Sequence, residues 1–360
     1  EVKRLGLPVQ FHYLPLGGSS TFHRWPLNYL IYNRWHVRAA RLVDSLLSTG
    51  QFQIVHLLNT VGYRLCGHSH KVAQKHGVEY VWGPIDGASL FPIAQARKYI
   101  GTKGACYYAF YNLCNLLQFR FSSSFRKALR NSRQVISATS DMQALLKKQH
   151  GLDSVRIAEV GCTHEDVSDH RSARQRLEIS WSGLHIHRKA LPVLLYALKR
   201  LPQQKRDQIR VHVLGSGPLT GNWKKLADHL GVGKGIVWHG WLPKDQAREI
   251  VRQTQIFCQT SFREVTSTVV AEALSLGVPV LSLKCCGMKD LLNDQIGWLV
   301  ELDDDIDGRI ATILDSALES PDTLEKKSQA AFQTAKYNTW EILADRVVGV
   351  YQSLSVFRNH

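Results

Sequence analysis

Two glutamates, Glu264 and Glu272, stand with seven residues between them in the stretch that starts at Ser261-Phe262-Arg263. Carboxylates accept bidentate hydrogen bonds from neighbouring hydroxyls, so such a pair suits a sugar and a ribose held in one crevice. Glu272 opens an apolar helical stretch that runs into Gly277 and then an apolar strand over 278–283. A loop, helix and strand in that order can aim both side chains at one place. The same pattern also fits a solvated helix start, where the helix dipole favours glutamate without any ligand. Arg188-Lys189 adds two adjacent cations, and Gly215-Ser216-Gly217-Pro218 adds a turn that lets backbone approach a ligand closely. Either feature alone is common on solvated surfaces.

The elements needed to position these residues follow a strand–helix alternation. In the first part the pattern predicts a helix over 34–47, a strand over 52–57, a helix over 68–76, strands over 78–82 and 134–138, and a helix from Ser140. A polar run over 163–174, without apolar periodicity, reads as a linker. Beyond it the pattern predicts strands over 178–183, 210–214, 236–239 and 255–259, with helices over 190–201 and 223–230 before the Glu272 helix. Such alternation argues for parallel sheets, whose ligands bind outside the carboxyl ends of the strands. The Gly-rich turns and Glu264 fall there. The division is a first domain over 1–162, a linker over 163–176, a second domain over 177–337 and a terminal helix within 338–360. That helix either caps its own domain or crosses back to the first.

A chain of 360 residues with 44% hydrophobic content can bury two cores. Its longest apolar run, over 105–117, is broken by Asn112 and Asn115 and is too short to span a bilayer. No leader peptide is predicted, since the first residues include charged Glu1, Lys3 and Arg4. The seven scattered cysteines contain no Cys-x-x-Cys pair, which points to a reducing, cytoplasmic setting. His68-x-His70 and His185-x-His187 lack a partner at ligand spacing, so no metal site is expected.

Charge is uneven along the chain. Residues 1–140 hold 17 Lys and Arg against 4 acidic residues, a net of +13 out of the total +15. No acidic residue lies between Gly87 and Ser140, where Arg97, Lys98, Lys103, Arg120, Arg126, Lys127, Arg130 and Arg133 interleave with Tyr107, Tyr108, Phe110, Tyr111, Phe119, Phe121 and Phe125. This pattern suits an anionic membrane surface or nucleic acid. A solvated basic face over an ordinary aromatic core gives the same pattern.

The Glu264 segment, with its continuation Glu272-Ala273-Leu274-Ser275-Leu276-Gly277-Val278-Pro279-Val280, resembles the E-x7-E signature of the retaining glycosyltransferases of family 4, the glycosyl transferase group 1. Ser182-Gly183-Leu184 through Arg188-Lys189-Ala190, Val211-His212-Val213-Leu214-Gly215-Ser216-Gly217-Pro218, His239-Gly240-Trp241-Leu242 and Cys286-Gly287-Met288-Lys289-Asp290 are similar to further segments of that family, in order. His56-Leu57-Leu58-Asn59 and Val81-Trp82-Gly83-Pro84-Ile85-Asp86-Gly87 resemble its acceptor-side segments. The sequence departs where the family has Gly-Phe after the first Glu, here Val265-Thr266. A β-branched residue does not take the positive φ open to glycine, so a different loop backbone is expected.

The resemblance implies an α/β GT-B fold, two Rossmann-like domains whose parallel sheets face a common cleft. It implies a retaining transfer of a sugar from a nucleotide-sugar donor to an acceptor such as a lipid-linked or polysaccharide precursor. Glu272 is then expected on the ribose and Glu264 on the sugar, with Arg188 and Lys189 stabilising the leaving diphosphate. Gly183, Gly215, Gly217, Trp241, Leu242, Gly287 and the amides of Thr266, Ser267 and Thr268 are expected to shape the donor pocket. His56, Asn59, Asp86 and Gly87 are expected on the acceptor side. No cofactor and no essential metal is expected; Asp303-Asp304-Asp305 reads as a turn. The partners expected are the donor, an acceptor and an anionic membrane surface, with nucleic acid disfavoured and the location cytoplasmic or peripheral on the membrane. Two alternatives stand: a sugar-nucleotide epimerase of the same architecture, for which no acid–base set is assignable, and a basic nucleic-acid-binding scaffold, which leaves the glutamate pair unexplained. In the family the first domain opens with a strand, a Gly-rich loop and a helix, whereas Val9-Gln10-Phe11-His12-Tyr13-Leu14-Pro15 resembles a later strand. The expectation is a truncated chain or a divergent first sheet lacking its opening β-α-β unit.

Overall fold

The structure is a computed structural model that describes residues 9–17, 28–58, 61–163 and 176–354. Two parallel sheets organise it. The first runs β1 (Ile54–Leu57), β2 (Glu79–Ile85), β3 (Gln134–Ser137) and β4 (Val155–Arg156), in that spatial order. The second contains β5 (Leu177–Ser182), β6 (Ile209–Leu214), β7 (Ile236–Gly240), β8 (Ile256–Gln259), β9 (Val280–Leu283) and β10 (Gly297–Val300), in the order β10-β9-β8-β5-β6-β7. All pairings among these strands are parallel.

Strand alternation sends side chains to two faces of each sheet. On the first sheet Tyr80, Trp82 and Val135 pack with Phe125, Met142 and Leu146 on one face. On the other face Val81 and Ile136 pack with Leu343 and Val350 of the last helix, Trp340–Gln352. Thr339 caps that helix by accepting a bond from the Ile342 amide. On the second sheet Ile179, Trp181, Val211 and Val213 face the helices Pro192–Arg200 and Ile306–Glu319, while Phe257 and Val280 face Thr268–Ser275 and Pro321–Lys336. Strands buried on both faces account for the continuous apolar runs in the sequence.

The helix Ile93–Phe121 ties the halves together. It breaks at Gly101, whose φ is 71°, and carries Tyr99 and Tyr108 into the core of the second sheet. Asp307, almost wholly buried, is met there by Lys98 and the Tyr99 hydroxyl, both at 2.6 Å, and by Arg200 at 2.9 Å. Asp290 adds a second tie, accepting from the Ser140 amide at 2.7 Å and pairing with Arg156 at 2.9 Å.

The predicted strands of the second sheet lie within two residues of those observed. Three features differ from expectation. Residues 9–17 form no strand; they lie along the helix Asn28–Leu47, where Trp35 and Arg38 donate to the carbonyls of Leu14 and Pro15. The run over 105–117 belongs to a helix of 29 residues. β4 and β10, of two and four residues, escaped detection because they are too short to carry a period. Most of the predicted linker lies outside the described residues, and Asp303-Asp304-Asp305 is a turn. Among the described residues no helix is long and apolar enough to cross a membrane.

Candidate functional site

The residues singled out by type and spacing gather at the carboxyl ends of the strands. β8 leads into the loop bearing Glu264, β5 into Gly183, β6 into Gly215 and β9 into Gly287; from the facing sheet β2 leads into Asp86 and Gly87. At the centre, Lys189 and Arg188 both donate to Oε2 of Glu264, at 2.5 and 3.0 Å. Arg188 also donates to the Arg263 carbonyl at 3.1 Å. Among the described residues no hydrogen bond reaches Oε1 of Glu264. Lys189 is 8% exposed, and burial draws its pKa down while Glu264 opposes the shift. The pair is stable only as a pair, since each charge alone would be costly to bury.

Backbone geometry holds this centre in place. Gly215 has φ 101°, and a Cβ there would stand 2.3 Å from the Gly183 carbonyl oxygen. A Cβ on Gly217 would meet the His185 amide nitrogen at 2.8 Å. These glycines let two turns stack backbone on backbone. In the Glu264 loop Val265 does not take positive φ, and its carbonyl lies against Gly287, where a Cβ would sit 1.7 Å away. Cys286, just before Gly287, does take the left-handed conformation, at φ 48°.

Glu272 lies in the helix Thr268–Ser275 and pairs with Lys244 at 3.2 Å. Lys244 is largely exposed, so the pair is weak. Trp241 is 70% exposed, whereas Leu242 packs into the core beneath the Glu272 helix. Thr266 and Ser267 are buried; Ser267 accepts from Gln259 at 2.9 Å.

On the facing side Asp86 is buried and accepts from the Thr139 hydroxyl and the Gly87 amide; burial raises its pKa. Arg263 crosses the cleft to donate to the Gly87 carbonyl at 2.9 Å. His56 stands apart from this cluster. Its Nδ1 meets the Tyr351 hydroxyl at 2.6 Å and its Nε2 the Gly83 carbonyl at 2.8 Å, so it braces the last helix with both nitrogens occupied. Burial lowers its pKa. Asn59 lies outside the described residues.

Sequence reasoning missed two participants. Glu159, beyond β4, accepts from the Thr266 hydroxyl at 3.0 Å and the Thr266 amide at 3.4 Å, anchoring the stretch between the two glutamates. Its Oε2 is buried without a partner among the described residues, and burial raises its pKa. Nothing in its neighbourhood in the sequence marks it. Arg263, beside Glu264, was legible by adjacency alone. His185 is fully buried among Trp181, Trp223 and Trp238, meets the Thr220 hydroxyl through Nδ1 at 2.8 Å, and is pushed down to about 4 by burial, so it is a neutral packing residue. Among the described residues no group of three or more His, Cys, Asp and Glu is placed to hold a metal.

Residues 168–334 match the family model described as glycosyl transferases group 1. The lipopolysaccharide core biosynthesis glycosyltransferase of Rhizobium meliloti is 29% identical over 123 residues, 34% of each chain. The O-antigen chain mannosyltransferase B of Escherichia coli is 26% identical over 187 residues, 50% of this chain and 48% of that one. The matched stretches span about a third to a half of these relatives. Among solved structures, that of Anabaena HepE in complex with UDP superposes with a TM-score of 0.65 at 14% identity, covering 89% of this chain and 82% of that one. Two parallel α/β sheets with this order and these neighbours constitute the GT-B arrangement.

Proposed function

We propose that this chain is a retaining glycosyltransferase that moves a sugar from a nucleoside-diphosphate donor to an acceptor. The observation that carries the reading is Glu264 gripped through one oxygen by Arg188 and Lys189, its other oxygen open at the carboxyl end of the second sheet. In this reading Oε1 of Glu264 orients the sugar hydroxyls, and the two cations stabilise the charge that gathers on the diphosphate as the glycosidic bond breaks. The acceptor oxygen bonds to the anomeric carbon on the face the diphosphate leaves, and the departing phosphate oxygen takes the acceptor's proton. Glu272 takes the ribose hydroxyls in exchange for its exposed partner Lys244. UDP in the HepE structure supports a nucleoside diphosphate as the leaving group.

Glu272→Ala should weaken binding of the matching nucleoside diphosphate by about 1–3 kcal/mol, the usual loss for a hydrogen bond to a charged group. Glu264→Ala should leave that binding nearly unchanged and lower turnover. Calorimetry across a panel of nucleoside diphosphates checks both, and equal affinity of wild type and Glu272→Ala would sink the assignment.

We also propose that the protein works peripherally on an anionic membrane face, on the cytoplasmic side that its seven free thiols support. Phe110, Leu113, Leu117 and Phe121 lie three and four residues apart on one helix face and are each about half exposed or more, beside Arg120. Anionic vesicles should co-sediment the protein at low salt and release it as salt rises. Equal co-sedimentation with neutral vesicles would contradict this.

A further inference from the structure

Arg64 and Arg263 belong to opposite halves of the molecule and converge on one ring. Their guanidinium carbons stand 5.0 and 4.6 Å from the centroid of Tyr111. Arg64 donates to Gln118 at 2.5 Å, to the Tyr111 hydroxyl at 3.0 Å and to the side-chain oxygen of Asn115. These acceptors are neutral, and they use three of its five N–H groups. Arg263 gives its bond to a carbonyl, that of Gly87. Among the described residues no carboxylate pairs with either arginine, and the chain has no acidic residue between Gly87 and Ser140. A half-buried cation is ordinarily paired. Here a scaffold of neutral oxygens holds Arg64 in place and leaves its charge uncompensated, which is the arrangement of an anion site, while Arg263 stands within electrostatic reach of the buried Asp86. Tyr63, packed under Arg64, adds no counter-charge, because burial pushes its hydroxyl up to about 12.

The surroundings narrow the anion. Arg64 lines a groove of about 220 Å³ whose other walls include Tyr29, Tyr107, Phe110, Tyr111 and Cys114. The groove is walled mainly by rings, and Phe110 continues into the exposed stripe of Leu113, Leu117 and Phe121. Tyr111 links it to Arg263, the neighbour of Glu264. One charged corner and an apolar trough fit an amphiphile better than a free ion or a sugar chain. We propose that this groove holds the acceptor, an amphiphile whose phosphate rests on Arg64 and whose apolar chain lies along Tyr107, Phe110 and Cys114. This assignment of the acceptor class rests on the glycosyltransferase reading. Isoprenoid phosphates and glycerophospholipids share that chemistry.

Titration of the full chain with farnesyl phosphate, dihexanoyl phosphatidic acid, farnesol and inorganic phosphate tests it. At least one of the two amphiphiles should bind at least about tenfold more tightly than farnesol or inorganic phosphate, and whichever binds better identifies the source. Arg64→Gln should weaken that binding by about tenfold or more, as loss of a charge-assisted contact predicts. Phe110→Ser, at an exposed position that does not threaten folding, should weaken it as well. Binding of farnesol as tight as farnesyl phosphate, binding of neither amphiphile, or affinity unmoved by both substitutions would overturn the proposal. Nucleoside diphosphates titrated into the same samples separate the two readings. Their binding without amphiphile binding overturns the groove alone, whereas amphiphile binding without any nucleotide binding overturns the donor reading and with it the acceptor role.

Discussion

Lys189→Met should lower sugar transfer by about 10²–10³-fold, the range found when one preorganised donor is removed from developing charge. The side chain sits at 2.5 Å from Glu264 and is nearly buried, so the substitution acts twice. It removes a cation from the departing diphosphate, and it leaves Glu264 with Arg188 as its sole charged partner. Stranding a buried charge with no partner costs about 3–5 kcal/mol; Glu264 keeps the part-exposed Arg188, so the variant should lose less than that and still melt at a lower temperature. The two effects separate in a double variant. Lys189→Met with Glu264→Gln removes the Lys189–Glu264 pair whole, leaves the part-exposed Arg188 to solvent and the Arg263 carbonyl, and should regain part of the lost stability, while transfer stays low because neither the cation nor the carboxylate is restored. Melting curves and initial transfer rates on the three proteins check this. Recovery of both stability and turnover in the double variant would make the pair a structural strut and nothing more.

How far the sequence reaches is seen by comparing Glu264 with Glu159. Glu264 follows a short apolar strand and precedes a helix and a second strand, each bounded by turn residues, so its place at a sheet's carboxyl end is written locally. The same holds for Gly183 after β5 and Gly215 after β6, where an apolar run stops at a glycine. Glu159 follows a two-residue strand with no period to reveal it, and its partner Thr266 is 107 residues away. Only the facing of two sheets creates that contact. Arg64 and Arg263 show the same limit: each is one basic residue among many until Tyr111 brings them together. The helix Ile93–Phe121 was partly hidden for another reason. Its apolar residues occupy both a buried face, with Tyr99 and Tyr108, and an exposed one, with Phe110 and Leu117, so no stripe of period 3.6 stands out. His56, expected on the acceptor side, has contacts that no local pattern foretells: its Nδ1 meets the Tyr351 hydroxyl of the last helix and its Nε2 the Gly83 carbonyl of β2.

Gly287→Ala should be nearly as damaging as loss of Lys189, although position 287 carries no functional group. The added Cβ would lie 1.7 Å from the Val265 carbonyl oxygen and 2.8 Å from its carbon, and both are backbone atoms that no rotamer change can move aside. The Gly287 amide approaches the Glu264 carbonyl at 3.4 Å, so the segment that must shift is the one carrying the carboxylate. A displacement of about 1 Å at a reacting centre costs about 10²-fold in rate, and overpacking of this kind costs about 1–3 kcal/mol of stability. Gly221→Ala is the matched control. It sits in the helix Thr220–His229 with nothing within 4 Å of its would-be Cβ, and alanine there should stabilise by about 0.5–1 kcal/mol without changing transfer. Initial rates and melting temperatures of the two alanine variants give the comparison. Wild-type turnover in Gly287→Ala would mean that the Glu264 loop can move without consequence, and the chemistry would then have to be sought elsewhere in the cleft.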